Sequence, residues 1–540
     1  VLQDASVIGK RFAKTTLRRV AGLADGDFDE ALRVLRARDF VFEEELFPEV
    51  EYAFKHPLTQ EVAYASQLAD RRRLAHANVA QLLEEAGQAK LEEHAPLLAH
   101  HWEAAGELLS AARWYRRAAE WSEDRQSASA AGYWGATRRL ATALGDTAES
   151  VRLRIAACLG LVRAADYDMF CSSASSSAFA EGHQLAVDSD DRDSRVRLLL
   201  AYSALVLHDG NLERSAELLA EAETVAADVD DPELKFVVRG HSAFACVIRG
   251  EQRLALQRYD EAFRLLGDVA PSDRFVLRRY LGASAIRLMI VAEAGRPDEA
   301  RAEAERLLAI AEESRDLPYI CIVHFCFFRL ASFLGHSAEA LRHARAALDT
   351  AERLGALGFR ATARFSLGGA HLLMRSFDEA IAVFDDARSI ASPDVHGAGQ
   401  WAGLLARLAE AHLGRGDLER ALALSVQAVA AAEGVRRLGV ADVLLSRARV
   451  LLAAGRVEDA DEIERVIDAA AEVVERCGAT LYEASIHEER SRLAQLLGRI
   501  SEAEGELAAA RRGYREIGAT GHLERLAAEA PGAARLHAAN

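Results

Sequence analysis

The sequence contains no GxGxxG, GxSxG or CxxC anywhere in its 540 residues, so it offers no dinucleotide fingerprint, no nucleophile elbow and no redox dithiol. Aromatic residues make up only 7% of it, which suits closely packed helices rich in alanine, leucine and arginine better than sheets. The six cysteines (158, 171, 246, 321, 326 and 477) follow no framework spacing and read as reduced, buried thiols of a cytoplasmic protein. No signal peptide opens the chain. The most apolar run, Tyr319 to Leu334, carries His324 and Arg329 and reads as too short to span a bilayer, so no membrane partner is expected. Positive charge is also in deficit: 66 Lys and Arg against 83 Asp and Glu leave a net charge of −17, which speaks against a nucleic-acid surface.

What the chain does have is a period. Between residues 250 and 503 a turn residue followed five positions later by alanine occurs seven times: Gly250/Ala255, Gly295/Ala300, Gly335/Ala340, Arg375/Ala380, Gly416/Ala421, Gly455/Ala460 and Gly498/Ala503. Successive alanines are 39 to 45 residues apart, the signature of stacked helical hairpins that cannot bury their apolar faces singly. The glycine is expected to take the left-handed conformation that ends a helix. The alanine is expected where two helices cross too closely for a larger side chain. The unit Phe365-Ser366-Leu367-Gly368-Gly369-Ala370-His371, with Phe377, Ala380, Phe384 and Ala387 after it, resembles the tetratricopeptide pattern, Gly368 and Ala380 filling its small positions. That pattern usually repeats about every 34 residues, so a period near 40 implies longer helices. The resemblance spans residues 195–520 and extends less regularly over 90–195. The expected fold is all-α, a tetratricopeptide-like right-handed α-solenoid preceded by a small winged-helix module with a β-hairpin.

The first 66 residues carry that module. Leu2, Ala5, Val7 and Ile8 open a short helix, and Phe12 to Val20 make a second. Asp27 can cap a third, whose Phe28, Ala31, Leu32 and Leu35 share a face. Phe40-Val41-Phe42 and Val50 to Phe54 are β-like around a Leu46-Phe47-Pro48 turn. Beyond Pro57 the pattern is helical. It includes an aromatic-rich stretch (Trp102, Trp114, Tyr115, Trp121, Tyr133, Trp134) and breaks at Gly145-Asp146-Thr147, Asp228 to Pro232, Asp268 to Ser272 and Ser392 to Gly399. Between Glu458 and Glu475, Ile463, Val466, Ile467, Ala470 and Val474 form one apolar stripe. Cys171 to Ser177 reads as a loop or a frayed helix end. The expected domains are a winged-helix module (1–66), a helical linker with the first irregular hairpins (67–145), helical repeats (146–525) and a tail (526–540). The chain opens at Val1, inside a helical pattern, and reads as the C-terminal part of a longer protein.

Candidate chemistry is sparse. Val7-Ile8-Gly9-Lys10-Arg11 has Asp4 and Arg11 where a phosphate loop needs its first glycine and its hydroxyl. His487-Glu488-Glu489-Arg490-Ser491 begins like a zinc-protease helix but places serine where the second ligand belongs. Cys321 and His324 share a helix face that Cys326 leaves, and His100-His101 adjoin Trp102; both groups read as core. No catalytic residue and no metal ligand is assigned. On the third helix Arg33, Arg36 and Arg38 would suit DNA, but Asp27, Asp29 and Glu30 share that helix. Glu43, Glu44, Glu45, Glu49 and Glu51 crowd the wing. Residues 1–70 hold nine Lys and Arg against thirteen Asp and Glu, so nucleic acid is not an expected partner.

One segment says more. Glu51-Tyr52-Ala53-Phe54-Lys55-His56-Pro57-Leu58-Thr59-Gln60-Glu61-Val62-Ala63-Tyr64 is followed by Arg71-Arg72-Arg73-Leu74-Ala75-His76. Together with the opening Leu2-Gln3-Asp4-Ala5-Ser6-Val7-Ile8-Gly9-Lys10-Arg11-Phe12, it resembles bacterial signalling ATPases of the STAND class, notably those with a class III adenylate/guanylate cyclase domain at the N-terminus. The match covers residues 1–85 and is architectural beyond them. In such proteins an AAA/NACHT-like nucleotide-binding module precedes the winged helix and the tetratricopeptide-like region. The resemblance implies that His56 contacts the phosphates of bound ADP in the intact protein and holds its closed state. ATP or ADP would then belong to the upstream domain, and this chain alone would hold no cofactor. An imidazole N–H at a strand–helix junction can reach an anion; the alternative is that His56 caps the helix or packs against Tyr52. Arg71, Arg72 and Arg73 either touch the ATPase module or lie solvated.

The function implied is a non-catalytic regulatory and sensor segment. Its repeats would bind a protein, peptide or small-molecule ligand on their concave face and control the nucleotide state of an ATPase domain in cis. Two other readings stand beside it. A large ATP-binding LuxR-type transcription regulator needs a C-terminal helix-turn-helix that residues 507–540 do not supply. A plain tetratricopeptide scaffold leaves the Phe54–Tyr64 segment without a purpose.

Overall fold

The turn-and-alanine phrase is a local rule for folding back a helix, and repeated it builds an array. The computed structural model describes residues 1–45, 50–85, 91–123, 127–168, 172–208, 211–267, 274–390, 398–433 and 439–529. Their helices pair in chain order into antiparallel hairpins, the tetratricopeptide-like solenoid expected. The chain divides into two compact units: Val1–Ala164 with Ala180–Leu185, and Ala165–Phe179 with Ala186–Asn540.

All seven turn residues have positive φ, from 62° at Arg375 to 90° at Gly416. Arg375 adopts without glycine's freedom what its place in the period demands. Past the turns at Gly250, Gly295, Gly335, Arg375, Gly416 and Gly498 an N–H bonds back across the helix end, as Ser376 N to His371 O at 2.9 Å and His336 N to Ala331 O at 2.8 Å. Ala255, Ala300, Ala340, Ala380, Ala421 and Ala503 are all buried. Ala460 is only partly covered, because a 3₁₀ turn at Val457–Asp459 delays the α-helix until Ala460 itself. Close packing explains the other small residues. A Cβ on Gly368 would lie 2.5 Å from the Phe384 ring, and one on Gly414 would lie 2.1 Å from the Phe377 ring.

The same phrase also occurs twice in the first unit. Gly106 (φ 87°) precedes buried Ala111, and Gly145 (φ 73°) precedes buried Ser150. Several expected breaks show their capping chemistry. Asp231 accepts from Glu233 N and Leu234 N ahead of Pro232, and Thr147 Oγ1 accepts from Ser150 N. Ser173 to Ser177 are not a loop but the first turn of the helix Ser173–Asp188, with Ser172 Oγ accepting from Ser175 N. Cys171, the Leu46-Phe47-Pro48 turn, Asp268 to Ser272, most of Ser392 to Gly399 and the tail from 530 lie outside the described residues.

The N-terminal module runs α1 (Leu2–Ile8), β1 (Arg11–Ala13), α2 (Lys14–Ala21), α3 (Asp25–Ala37), β2 (Val41–Glu45), β3 (Glu51–Phe54), α4 (Pro57–Ala65) and α5 (Ala69–Glu85). The sheet is antiparallel in the order β1-β3-β2, with Phe12 opposite Tyr52 and Val41 opposite Phe54. Three corrections follow. A third strand joins the expected hairpin, Phe12 belongs to it, and α2 begins only at Lys14. Ala24 stands at the N-cap of α3, so Asp27 lies inside its first turn, where a carboxylate favours the helix dipole without capping. β3, the central strand, buries Tyr52, Ala53 and Phe54 in succession, so both of its faces are covered. Phe12, Leu17, Phe28, Leu32, Tyr52 and Phe54 form the core.

In the second unit the array returns upon itself. Cys477 Sγ reaches Gly250 O at 3.5 Å across 227 residues, and His336 Nε2 pairs with Thr520 Oγ1 at 2.9 Å across 184. At the seam two backbones touch: a Cβ on Gly521 would stand 2.1 Å from Gly335 O. The helix Leu317–Leu334 has 18 residues and is, by length and composition, long and apolar enough to cross a membrane. Here it is the first helix of a hairpin, with Cys321, Val323, Phe327, Leu330 and Ala331 buried.

Candidate functional site

From Arg192–His208 to Glu483–Leu496 in the second unit, the helix before each turn packs beside its counterparts in the neighbouring hairpins. Side chains on these first helices therefore come together although about 40 residues separate them, and in the last repeats they are charged. From Leu317–Leu334, Arg329 Nη2 donates to Tyr482 Oη at 3.1 Å, and Nη1 pairs with Asp442 Oδ2 at 3.4 Å. Asp442, on Gly439–Ala454, also accepts from Arg407 Nη2 at 2.9 Å. Arg407 continues to Glu410 at 3.1 Å, both on Ala398–Arg415. Arg449 donates Nη1 to Glu410 at 2.8 Å and Nε to Glu489 at 2.7 Å. Glu489 meets Arg492 at 3.1 Å, and Arg492 meets Glu488 at 2.6 Å. Glu488 accepts from Arg525 Nη2 at 2.7 Å and from Tyr514 Oη at 2.9 Å. One unbroken line of alternating charge thus ties five repeats together.

The line has two layers. Exposures of the Arg449, Arg492 and Arg525 side chains are 27%, 35% and 30%, against 12%, 4% and 1% for Glu410, Glu488 and Glu489. The carboxylates lie deeper, and parts of the arginine side chains reach water. Burial alone would raise Glu410, but Arg407 and Arg449 hold it below the usual range. Burial likewise opposes the ionisation of Glu488, but Arg525, Arg492 and Arg449 bring it down to about 2. Glu293 behaves oppositely: burial pushes it up to about 7, the Arg329 charge offsetting only part of that. Beside the guanidiniums lies a cleft of about 420 Å³, lined by Leu413, Gly414, Leu452 and Ala453 together with Glu410, Arg449 and Arg492.

In the first unit, His56 joins β3 to α4. It immediately follows β3, occupies the N-cap position of α4 in extended conformation and makes no side-chain cap bond. It is exposed, while Tyr52 Oη bonds to Glu43 instead. Leu58 and Val62, one turn apart on α4, are 68% and 60% exposed, and Leu68 and Leu74 are exposed as well. Arg72 packs over the Tyr64 ring at 4.8 Å. Arg71 and Arg73 are exposed.

The remaining candidates are structural. His487 pairs with Glu506 at 2.6 Å, and Ser491 donates to Ala503 O at 2.8 Å across a hairpin. Cys321 and Cys326 face different backbone carbonyls, Ala347 O and Ala285 O. Burial pushes both thiols up to about 12, while His324 pairs with His343 at 3.1 Å. His101 meets His76 at 2.9 Å, and Tyr64 Oη meets His76 Nε2 at 3.0 Å. Burial lowers His76 to about 4 and His101 to about 3. Trp102 and Trp114 both donate to Glu84 Oε1, at 2.8 and 2.7 Å. Arg33 is bound to Glu30, and Arg36 to Glu43 of the wing. Among the described residues no group of three or more His, Cys, Asp or Glu could hold a metal ion.

No family model and no curated protein matches the chain. Among solved structures it is similar to a Rap protein complexed with Competence and Sporulation Factor, with a TM-score of 0.52 and 14% identity over 69% of this chain and 99% of that one. A STAND protein with a tetratricopeptide repeat sensor from Pyrococcus horikoshii aligns at TM-score 0.38 and 13% identity, over 88% of this chain and 62% of its own. The anaphase-promoting-complex pair Cut9–Hcn1 aligns at TM-score 0.43 and 11% identity, over 81% of each. The first of these likenesses shows the fold: a tetratricopeptide-like array of helical repeats.

Proposed function

We propose that this chain is a non-catalytic sensor segment of a multidomain signalling ATPase. Its repeats bind a protein or peptide on the face formed by the first helices of the hairpins. The module of residues 1–66 passes occupancy to a nucleotide-binding domain in cis, with the output carried by a further domain such as a cyclase. The observation that carries the reading is the two-layered charged face of the last repeats, with the cleft beside it. Helices 40 residues apart in sequence contribute to one surface, so whatever binds there changes their relative energies together. His56 supports the other half: an exposed imidazole at a strand–helix junction, followed by the exposed apolar pair Leu58 and Val62, suits contact with a neighbouring domain and its bound phosphate. A repeat protein of this fold has been captured with Competence and Sporulation Factor, which fits the role of receptor.

The test is a substitution at the relay. In the intact protein, His56→Ala should raise basal output by weakening the ADP-bound state; an unchanged basal level would remove His56 from the mechanism. The chain by itself should show no nucleotide hydrolysis, and measurable turnover would overturn the assignment.

A further inference from the structure

The second unit closes where residues 477–482 meet the turns of two earlier hairpins. Cys477 Sγ reaches Gly250 O at 3.5 Å. A Cβ on Gly478 would stand 2.6 Å from Arg253 Nε, and one on Gly295 would stand 2.7 Å from Thr480 Oγ1. Tyr482 then meets the helix Leu317–Leu334: its ring lies edge-on to Phe333 at 5.5 Å, and its Oη accepts from Arg329 Nη2 at 3.1 Å. Arg329 is the polar hook of this contact. Without it Asp442 still accepts from Arg407 at 2.9 Å and from Tyr482 Oη at 3.1 Å, so the far side of the seam is satisfied by itself.

Glu293 lies beside the hook, at the end of Arg274–Glu293 and two residues before Gly295. It is half-buried, and among the described residues its carboxyl has no hydrogen-bond or ion-pair partner. The groups that act on it across the seam are Arg329, Asp442, Tyr482 and Cys477. Pro232–Ile248, Gln252–Leu266 and Pro297–Glu313 also pack against its helix and add no charge to it.

We propose that this seam is a proton-controlled clasp, whatever the repeats bind. With Glu293 protonated, Arg329 serves Tyr482 and Asp442 and the array stays closed. Ionised Glu293 draws Arg329 to itself, repels Asp442 and frees residues 477–482 from Leu317–Leu334. Burial pushes the Glu293 carboxyl up to about 7, and opening returns it toward its ordinary 4.5. The closed form therefore keeps a proton that the open form gives up, and it loses ground as pH rises through 7. From pH 6 to pH 8 opening should increase about tenfold.

The experiment is hydrogen exchange on the full chain at pH 6 and pH 8, read as protection factors. In the wild type, protection of residues 478–486 and of the last turns of Leu317–Leu334 should fall about tenfold at pH 8, while Phe377–Ile390 keeps its own. Glu293→Gln, which has the same shape and cannot ionise, should hold the pH 6 pattern at both values. Arg329→Gln should loosen the same segments at both. Alkylation of Cys477, buried at the seam, is the second reading. The wild-type rate divided by the Glu293→Gln rate should grow about tenfold from pH 6 to pH 8, a ratio in which the thiol's own titration cancels. Equal wild-type protection at the two pH values, a full pH response retained in Glu293→Gln, or a loss spread evenly over every helix would each overturn the clasp. An Arg329→Gln protein that stays protected at the seam would overturn the hook.

Discussion

Replacing Glu489 by glutamine tests whether the charged line holds the repeats together. Glu489 is fully buried and accepts from Arg449 Nε at 2.7 Å and Arg492 Nη1 at 3.1 Å. Glutamine keeps the shape and removes the charge. Breaking a fully buried pair costs about 3–5 kcal/mol, but two features lower the figure. Both arginine side chains are about a third exposed, and each retains a second carboxylate, Glu410 or Glu488. The expected loss is therefore about 2–3 kcal/mol. For a unit of this size it corresponds to a fall of about 3–4 °C in melting temperature. Helical ellipticity during heating measures it, and hydrogen exchange localises it: loosening should concentrate in Gly439–Ala454 and Glu483–Leu496, the helices that carry Arg449, Glu489 and Arg492. Because the carboxylate is covered, the deficit should persist at 1 M salt, unlike that of a surface pair. A Glu489→Gln protein that melts with the wild type, or whose deficit vanishes in salt, would refute the assignment of this line as a buried tie.

Three further outcomes follow from the geometry. Gly521→Ala should free the last helix, Thr520–Ala528, because its Cβ would stand 2.1 Å from Gly335 O; faster exchange confined to that helix and to Leu317–Leu334 is expected, and unchanged protection would deny the seam. Burial lowers His76 to about 4 and His101 to about 3, with His100 and Arg72 adding repulsion at His76. The unfolded chain therefore takes up protons near pH 6.5 while the native one does not, and stability present above pH 6.5 is lost as pH falls toward 4, by about 1 kcal/mol or more per pH unit. Urea unfolding read from Trp102 and Trp114 fluorescence should show that slope, and His76→Gln should flatten it. Glu293, pushed up to about 7 by burial, runs the other way. Its ionisation destabilises as pH rises from 4.5 through 7, so Glu293→Gln should raise the melting temperature at pH 8 and make no difference at pH 4.5; equal gains at both values would contradict it.

The array was legible because its signals are local. A residue with positive φ and a small residue five positions on recur, and Arg375 was found by its place in the period rather than by its type. The rule failed where serine served as the small residue, as at Ser150 and Ser215, both buried. Strand β1 escaped notice because three residues between two helices carry no alternation to read; only pairing with β3 makes them a strand. The charged line was not legible, since each of its links crosses between helices. Glu488 and Glu489 attracted attention only as the middle of a failed zinc motif, yet they anchor the final repeats. A partial signal was nonetheless present: Arg449 and Arg492 each stand six residues before the turn of their repeat, Gly455 and Gly498. His56 is the opposite case, since its place at the strand–helix junction was visible in the sequence and its proposed partner belongs to another domain.

The central claim is that occupancy of the repeats governs nucleotide chemistry elsewhere in the protein. Nucleotide turnover by the intact protein, titrated with peptides selected for binding to this chain, measures it directly when the wild type is set beside Ala453→Trp, whose side chain fills the cleft between Ala398–Arg415 and Gly439–Ala454. A saturating change in turnover in the wild type and a flat response in the variant is the predicted result. Turnover that ignores the peptides in both forms, or responds equally in both, would contradict it.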